Sequence, residues 1–342
     1  MRFLPDPEQT EFARTLDRML AAADTPSATR AWAAGEHAAG RALWGRLAEA
    51  GVFALGVPEA YEGLGPLPVE LALAFVELGR HAVPGPVVET VAAAALLGRL
   101  GGALAKDWLP RIAAGQAMVT LTMPLGGPYA LDADAADAVF VAEGGRLALA
   151  TSHGPFRASL DPARRLFRPN TALAGEPLAQ ADAAYAADRA AFLTAAQSLG
   201  VGLALLRRSV EYARQRRQFG AAIGSFQAVK HRLADTFTAL EFARPLLHGA
   251  AVTQSPADIA AAKLACGEAA YAAARTALQV HGAIGYSAEY DLSLWITKAR
   301  ALRTAWGSPS ACRAGVLRNR SEGARTPVPG PRTPGAWRSS RG

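Results

Sequence analysis

Two unusually long helical segments constrain the fold of this chain more than any other feature. Residues 190–217 and 226–251 are alanine-rich and helical in pattern, and each exceeds the roughly 10–14 residues of an average globular helix. Long helices joined by short loops are typical of up-and-down bundles. We therefore predict a C-terminal four-helix bundle over residues 183–317.

The remaining sequence predicts a mainly α protein with a small β domain. Residues 1–115 carry helical patterns separated by glycine and proline, with Asp6, Pro7 and Gln9 arranged as a helix start. Residues 116–182 instead contain short alternating segments, two of them joined by the turn at 143–145, and are predicted to form a small antiparallel β domain. The predicted order is helical domain, β domain, helical bundle.

Residues 318–342 are predicted to be a disordered basic tail. This segment holds six arginines and one glutamate, and so supplies most of the net charge of +7. The rest of the chain is close to neutral, which argues against nucleic-acid binding. The two cysteines have no metal or disulfide spacing. Without a signal-like N-terminus or a spanning apolar run, we expect a cytoplasmic protein that is not in a membrane and binds no metal.

An arginine cluster follows the first long helical segment, in the sequence Arg216-Arg217-Gln218-Phe219-Gly220. Arginine suits bidentate contact with phosphate, and the next helix, beginning near Ser225, offers free N–H groups at its start. Such a corner can hold a pyrophosphate. The same cluster could simply complement the C-terminal dipole of its own helix, and the residues alone leave both interpretations open.

A second polar segment, Gln279-Val280-His281-Gly282, lies near the end of the bundle. Gly282 permits close backbone approach, and Gln279 and His281 offer donors and acceptors. A glycine-rich turn between two helices would explain the segment equally well.

Together, these two segments at this separation resemble the acyl-CoA dehydrogenase family. The resemblance extends over residues 5–317 and includes the segment 44–65 and the helix 227–235. It implies a helical, β and helical fold assembled as dimers or tetramers, with FAD held between subunits. It also implies contacts to FAD from residues in both segments and nearby: Arg216, Gln218, Phe219, Gln227, Gln279, Val280, His281, Gly282, Thr122 and Ser308.

The family reaction is α,β-dehydrogenation of an acyl-CoA, in which a carboxylate removes the α-proton and electrons pass from the flavin to an electron-transfer flavoprotein. In this chain Trp306 stands at the family's glutamate position, and tryptophan cannot act as a base. The alternative region for that glutamate, 243–256, has no carboxylate. His248 and Asp258 are the only nearby candidates and are weak ones, because a lone histidine on such a helix is more often a packing residue and Asp258 follows a helix start as a capping residue does.

Other positions of this chain also differ from the residues that are usual in the family. Thr122 and Pro124 are retained, but Met123 stands where an acidic residue is usual. The Asp and Arg that many members place at the start of the bundle are not matched in register by Asp188 and Arg189. The pattern is similar to short family members that pair with a longer partner carrying the base.

Three interpretations follow. The chain is one subunit of a heteromer whose homologous partner supplies the carboxylate, or a homo-oligomeric acyl-thioester flavoenzyme with an unusual base, or a non-enzymatic binding or scaffold protein on this fold.

Overall fold

A computed structural model describes residues 4–171 and 175–323 of the chain. The helices in these ranges are α1 (Pro7–Ala21), α2 (Thr25–Ala33), α3 (Ala38–Glu49), α4 (Pro68–Arg80), α5 (Val87–Leu100), α6 (Gly102–Ala113), α7 (Gln180–Gln215), α8 (Gln227–Thr253), α9 (Pro256–His281), α10 (Leu292–Leu302) and α11 (Pro309–Gly323). The strands are β1 (Val119–Thr122), β2 (Ala130–Leu131), β3 (Ala138–Glu143), β4 (Arg146–His153), β5 (Leu166–Phe167), β6 (Pro169–Thr171), β7 (Glu176–Pro177), β8 (Arg217–Gln218) and β9 (Ala221–Ala222).

The predicted fold class is confirmed: helices precede and follow a small sheet. The helix start predicted at Asp6 is a capping box, in which Asp6 Oδ1 accepts from Gln9 N–H at 2.8 Å and Gln9 Oε1 accepts from Asp6 N–H at 3.0 Å. The long α7 begins at Gln180, ahead of the expected start of the bundle. The domain boundaries themselves stay predictions.

The sheet is mixed, which corrects the expectation of a wholly antiparallel domain. Strand β1 pairs with β3 in parallel, with Val119 opposite Ala138. The β3–β4 hairpin is antiparallel as predicted, and its turn residues Gly144 and Gly145 both have positive φ. A strand expected near Ser159 is absent from the described sheets; β5 instead pairs with β2.

The bundle is built around α9, which packs against α7, α8, α10 and α11. Helix α7 also crosses α4 at very short range, because Gly79 and Gly200 lie at the crossing. A Cβ atom on Gly200 would stand 1.8 Å from the carbonyl oxygen of Val76. One continuous hydrophobic core runs from Leu16 in α1, through the sheet, to Trp306, so the N-terminal helices, sheet and bundle are packed together.

Helix α7 is long and apolar enough to cross a membrane by length and composition, but 89% of its most apolar window is buried within the fold. That burial is typical of a core helix. Helix α11 continues to Gly323, past the predicted start of the tail at 318. The remainder of the predicted tail, 324–342, lies outside the described residues.

Candidate cofactor site and the position of the base

The arginine cluster forms an exposed hairpin between α7 and α8. Strands β8 and β9 pair antiparallel, and Phe219 and Gly220 form the turn between them with φ of 51° and 77°, as two-residue hairpins require. The ring of Phe219 is 92% exposed. Arg216 and Gln218 are also exposed, so this surface is open in the single chain.

Helix α8 begins directly after the hairpin, at Gln227. The residue before it is Phe226, and in the described ranges no side chain caps this helix start. Its first N–H groups are therefore available to a ligand. The hairpin arginines and the helix start supply the donors that a pyrophosphate requires, and the residues present fit the dinucleotide end of FAD.

The second segment closes α9, and the structure brings it to the hairpin end of α7. His281 is buried, and its ring stacks on Tyr212 of α7 with centroids 4.2 Å apart. The carbonyl oxygen of Ala277 lies 2.8 Å from Nδ1 of His281, so Nδ1 carries the proton. Burial lowers the pKa of His281. Its Nε2 is then an acceptor, and no hydrogen-bond partner for that atom exists among the described residues.

The two residues that precede His281 are less buried than His281 itself. Gln279 is exposed and Val280 half-buried. Gly282 ends α9 with φ 62° and ψ −138°, a conformation open to glycine, and no atom lies within 4 Å of where its Cβ would stand. The backbone here is therefore approachable from outside the chain.

Thr122 lies buried at the end of β1, beside a cavity of about 310 Å³. Met123, Pro124, Val141 and Arg168 also line this cavity. Its position at the sheet edge is that expected for the flavin-facing segment. Neither Trp306 nor Glu89 is among its lining residues.

Trp306, which stands at the glutamate position predicted from the family resemblance, is buried in the core. Its Nε1–H donates to Oε1 of Glu89 at 2.9 Å, and both side chains are almost fully buried. The indole packs so closely on Gly126 that a Cβ there would lie 2.8 Å from the ring. The indole therefore fills the space between Gly126 and Glu89.

Glu89 is a functional candidate that the sequence did not reveal. Its Oε1 lies 3.7 Å from the guanidinium of Arg164, and its Oε2 has no hydrogen-bond partner in the described part of the chain. Glu89 and Trp306 are 217 residues apart, so no local motif links them. A charged residue within the apolar run of α5 was the one available signal.

A buried lysine holds the turn that carries Trp306. Nζ of Lys263 donates to the carbonyl oxygens of Leu302, Arg303 and Gly307 at 3.0, 3.2 and 3.2 Å. Burial lowers the pKa of Lys263 to about 8. The positive φ of 53° at Trp306 is thus imposed from both sides, by the lysine and by the contact with Glu89.

The other candidates lie elsewhere. Ser308 Oγ accepts from Ala311 N–H at 3.2 Å and so caps α11. Asp258 occupies the first turn of α9, where its N–H donates to Ser255 Oγ at 3.1 Å and its Oδ2 accepts from Thr253 at 2.6 Å. His248 lines cavities beneath α1, and neither is the cavity beside Thr122. The roles expected for these residues stay predictions.

The helical, β and helical order with this bundle defines the acyl-CoA dehydrogenase family, and the chain belongs to it. The family's N-terminal domain matches residues 6–116, and its C-terminal domain matches residues 181–319. The chain is 37% identical over 311 residues to acyl-CoA dehydrogenase IpdE2 of Mycobacterium tuberculosis, covering 89% of this chain and 94% of the relative.

Solved structures share the fold. The ChsE4-ChsE5 complex from Mycobacterium tuberculosis contains a chain that superposes with a TM-score of 0.81 at 25% identity, covering 96% of this chain and 100% of that one. A glutaryl-CoA dehydrogenase from Mycobacterium smegmatis, in complex with FADH2, superposes with a TM-score of 0.79 at 19% identity, covering 95% of this chain and 97% of that one. The second likeness concerns the fold alone.

Proposed function

We propose that this chain is the FAD-holding subunit of a heteromeric acyl-CoA dehydrogenase whose homologous partner supplies the catalytic carboxylate. The hydrogen bond between Trp306 and Glu89 carries the proposal. A base must stand within hydrogen-bonding range of the substrate α-carbon, and here the family position holds a buried indole that is already bonded to a protein group.

The cofactor contacts are proposed for residues that the fold leaves open. Arg216 and the start of α8 at Gln227 would bind the pyrophosphate, with Gln218 and Phe219 beside it, while Gln279, Val280, His281 and Gly282 would meet the dinucleotide of the neighbouring subunit. Thr122 and Ser308 would lie nearer the flavin ring. FAD, when bound, supplies the hydride acceptor for the β-carbon.

The exposure of these residues supports an assembled site. Phe219 is 92% exposed, and so large an apolar ring would gain stability if a second surface covered it. The solved ChsE4-ChsE5 relative is a complex by its description. We place this chain in the cytoplasm, with an acyl-CoA as substrate and an electron-transfer flavoprotein as electron acceptor.

The test is to purify the chain alone and together with a co-expressed homologous acyl-CoA dehydrogenase. We expect a weak flavin absorbance band and no acyl-CoA-dependent reduction of an artificial acceptor from the chain alone. The pair should be yellow and active. A fully flavinated and active homo-oligomer of this chain would refute the heteromer.

A homo-oligomeric enzyme with an unusual base remains the second candidate, and Glu89 is the observation that favours it. Its carboxylate is adjacent to the family's base position, and one of its oxygens is unpartnered within the described ranges. Activity of the chain alone that is abolished by Glu89→Gln, and retained in His248→Ala and Asp258→Asn, would support this candidate. If the purified protein binds neither FAD nor acyl-CoA, the scaffold interpretation applies instead.

A further inference from the structure

A buried arginine near the start of α7, Arg189, has no counter-ion among the residues that the structure describes. Arg189 is only 6% exposed, and its Nε has no hydrogen-bond partner among the described residues. The guanidinium lies 5.0 Å from the ring centre of Tyr185 and 5.9 Å from that of Phe192. These cation–π contacts stabilise the charge and orient the group, but they do not satisfy its N–H donors.

Carboxylates near Arg189 do not pair with it. In residues 4–171 and 175–323 no carboxylate oxygen lies within ion-pair distance of its guanidinium. Asp188 precedes it in the helix, and burial raises the pKa of that carboxyl group, which disfavours the charge that could neutralise Arg189. A buried cation without a partner is costly, so this arrangement indicates a missing anion.

Arg189 lines a cavity of about 180 Å³ between α5, α7 and the loop that precedes α4. Apolar side chains form most of its wall, among them Leu71, Val91 and Ala94. Arg99 also lines it, and its Nε donates to Asp182 at 2.8 Å. Its lining residues include no aspartate or glutamate. The cavity thus combines one unsatisfied cation with apolar walls, at the size of a small organic molecule.

We propose that this cavity binds a small aliphatic carboxylate, with the carboxylate on Arg189 and the hydrocarbon chain against Val91 and Ala94. A carboxylate matches the planar fork of guanidinium, whereas the apolar walls offer few donors for the further oxygens of a phosphate. The carboxylate could belong to a free acid or to the far end of an acyl chain on coenzyme A. The site includes none of the residues proposed for FAD, so binding of a free acid is independent of the proposed function, whereas binding of an acyl-CoA rests on it.

Calorimetric titration of the full chain tests the proposal, with pentanoate, its neutral isostere pentanamide, succinyl-CoA and butyryl-CoA as probes. Pentanoate that binds where pentanamide does not indicates a free acid. Binding of succinyl-CoA, without binding of pentanoate or butyryl-CoA, indicates the carboxylate end of an acyl-CoA. Absence of binding by both pentanoate and succinyl-CoA overturns the proposal.

Three variants separate the site from the rest of the surface. Arg189→Met removes the cation and Ala94→Leu fills the cavity, and each should weaken binding at least about tenfold. Arg111→Gln removes an exposed arginine on α6 and should leave binding unchanged. Because Arg189→Met removes an unpaired buried charge, its melting temperature should rise in the absence of ligand. Undiminished binding in both Arg189→Met and Ala94→Leu contradicts the proposal.

Discussion

Because Trp306 carries an indole, its position cannot serve as a catalytic base in the way a glutamate would. An ionised glutamate there would need a dry pocket with room for substrate, whereas the tryptophan fills that volume and uses its single N–H to satisfy a buried carboxylate, Glu89. Leaving a buried acceptor without a donor costs about 1–3 kcal/mol. The pair is therefore stabilising only while both members are present.

Trp306→Phe should destabilise the fold by roughly 2–4 kcal/mol, because it removes the donor to Glu89 and leaves a small void beside Gly126. The measurement is chemical denaturation of the purified chain. Trp306→Phe combined with Glu89→Gln should cost less than the sum of the two single changes, since a neutral amide tolerates the missing donor better than a carboxylate. Strict additivity would show that the two side chains do not interact.

Asp132 gives the fold a pH dependence. Its carboxyl group is fully buried, Oδ1 accepts from Arg165 N–H at 3.0 Å, and burial raises its pKa from 3.8 to about 7. Between these two values the folded state binds more protons than the unfolded state, so this group lowers the free energy of unfolding as pH rises from about 4 to 7.

Asp132→Asn should remove that dependence. Relative to wild type, the variant should gain roughly 2–4 kcal/mol of stability between pH 4 and pH 7.5, as measured by denaturation at a series of pH values. Asn also tolerates the positive φ of 54° at this position. Asp107→Asn, an exposed change on α6, is the control and should follow the wild-type profile. If the free energy of unfolding varied with pH in parallel for Asp132→Asn and wild type, Asp132 would not be the source of the pH dependence.

At the scale of elements, the helices were predictable because their signals are local. The capping box at Asp6 and the length of the bundle helices can both be predicted from short stretches of sequence. The parallel pairing of β1 with β3 was not, since strand partners are chosen by long-range packing. The same limit applies to the site: the motif around Trp306 identifies its position, but its contact with Glu89 joins two elements that only the folded chain brings together.

The crossing of α4 and α7 depends on glycine. Gly200→Ala would place a methyl group against the backbone of Val76, which neither helix can relieve without moving. We expect a loss of about 1–3 kcal/mol in the free energy of unfolding. Gly45→Ala in α3 is the matched control: its Cβ would meet nothing within 4 Å, so helix propensity should stabilise the chain by about 0.5–1 kcal/mol. Equal effects from the two changes would show that the crossing is not close-packed.

At the scale of the molecule, α8 presents large apolar side chains to solvent beyond the hairpin. Phe237 is 54% exposed, Phe242 73% and Leu246 44%. Phe242 and Leu246 are four residues apart and share a face of α8, so their exposure indicates an association surface, on the same helix that begins at the proposed cofactor site. Assembly and cofactor binding should therefore be coupled.

Phe242→Asp should break the assembly without unfolding the chain, because the side chain is mostly exposed in the single chain and a charge is costly only in an apolar contact. Sedimentation velocity at micromolar concentration should show that the Phe242→Asp variant forms a smaller species than the wild-type assembly. The far-UV circular dichroism spectrum of the variant should be unchanged. Glu8→Lys, an exposed change at the start of α1, serves as a control for charge alone. An unaltered sedimentation profile for Phe242→Asp would exclude α8 from the interface.

The contact between Trp306 and Glu89 also limits which single substitutions position 306 can accept. Trp306→Glu alone would remove the indole, open a void and place a second carboxyl group beside Glu89 in the core, where like charges repel. We expect the Trp306→Glu variant to be less stable than the wild-type chain and to lack a shaped pocket. Position 306 can therefore hold a stable carboxylate only together with a second change at Glu89, its partner in the core.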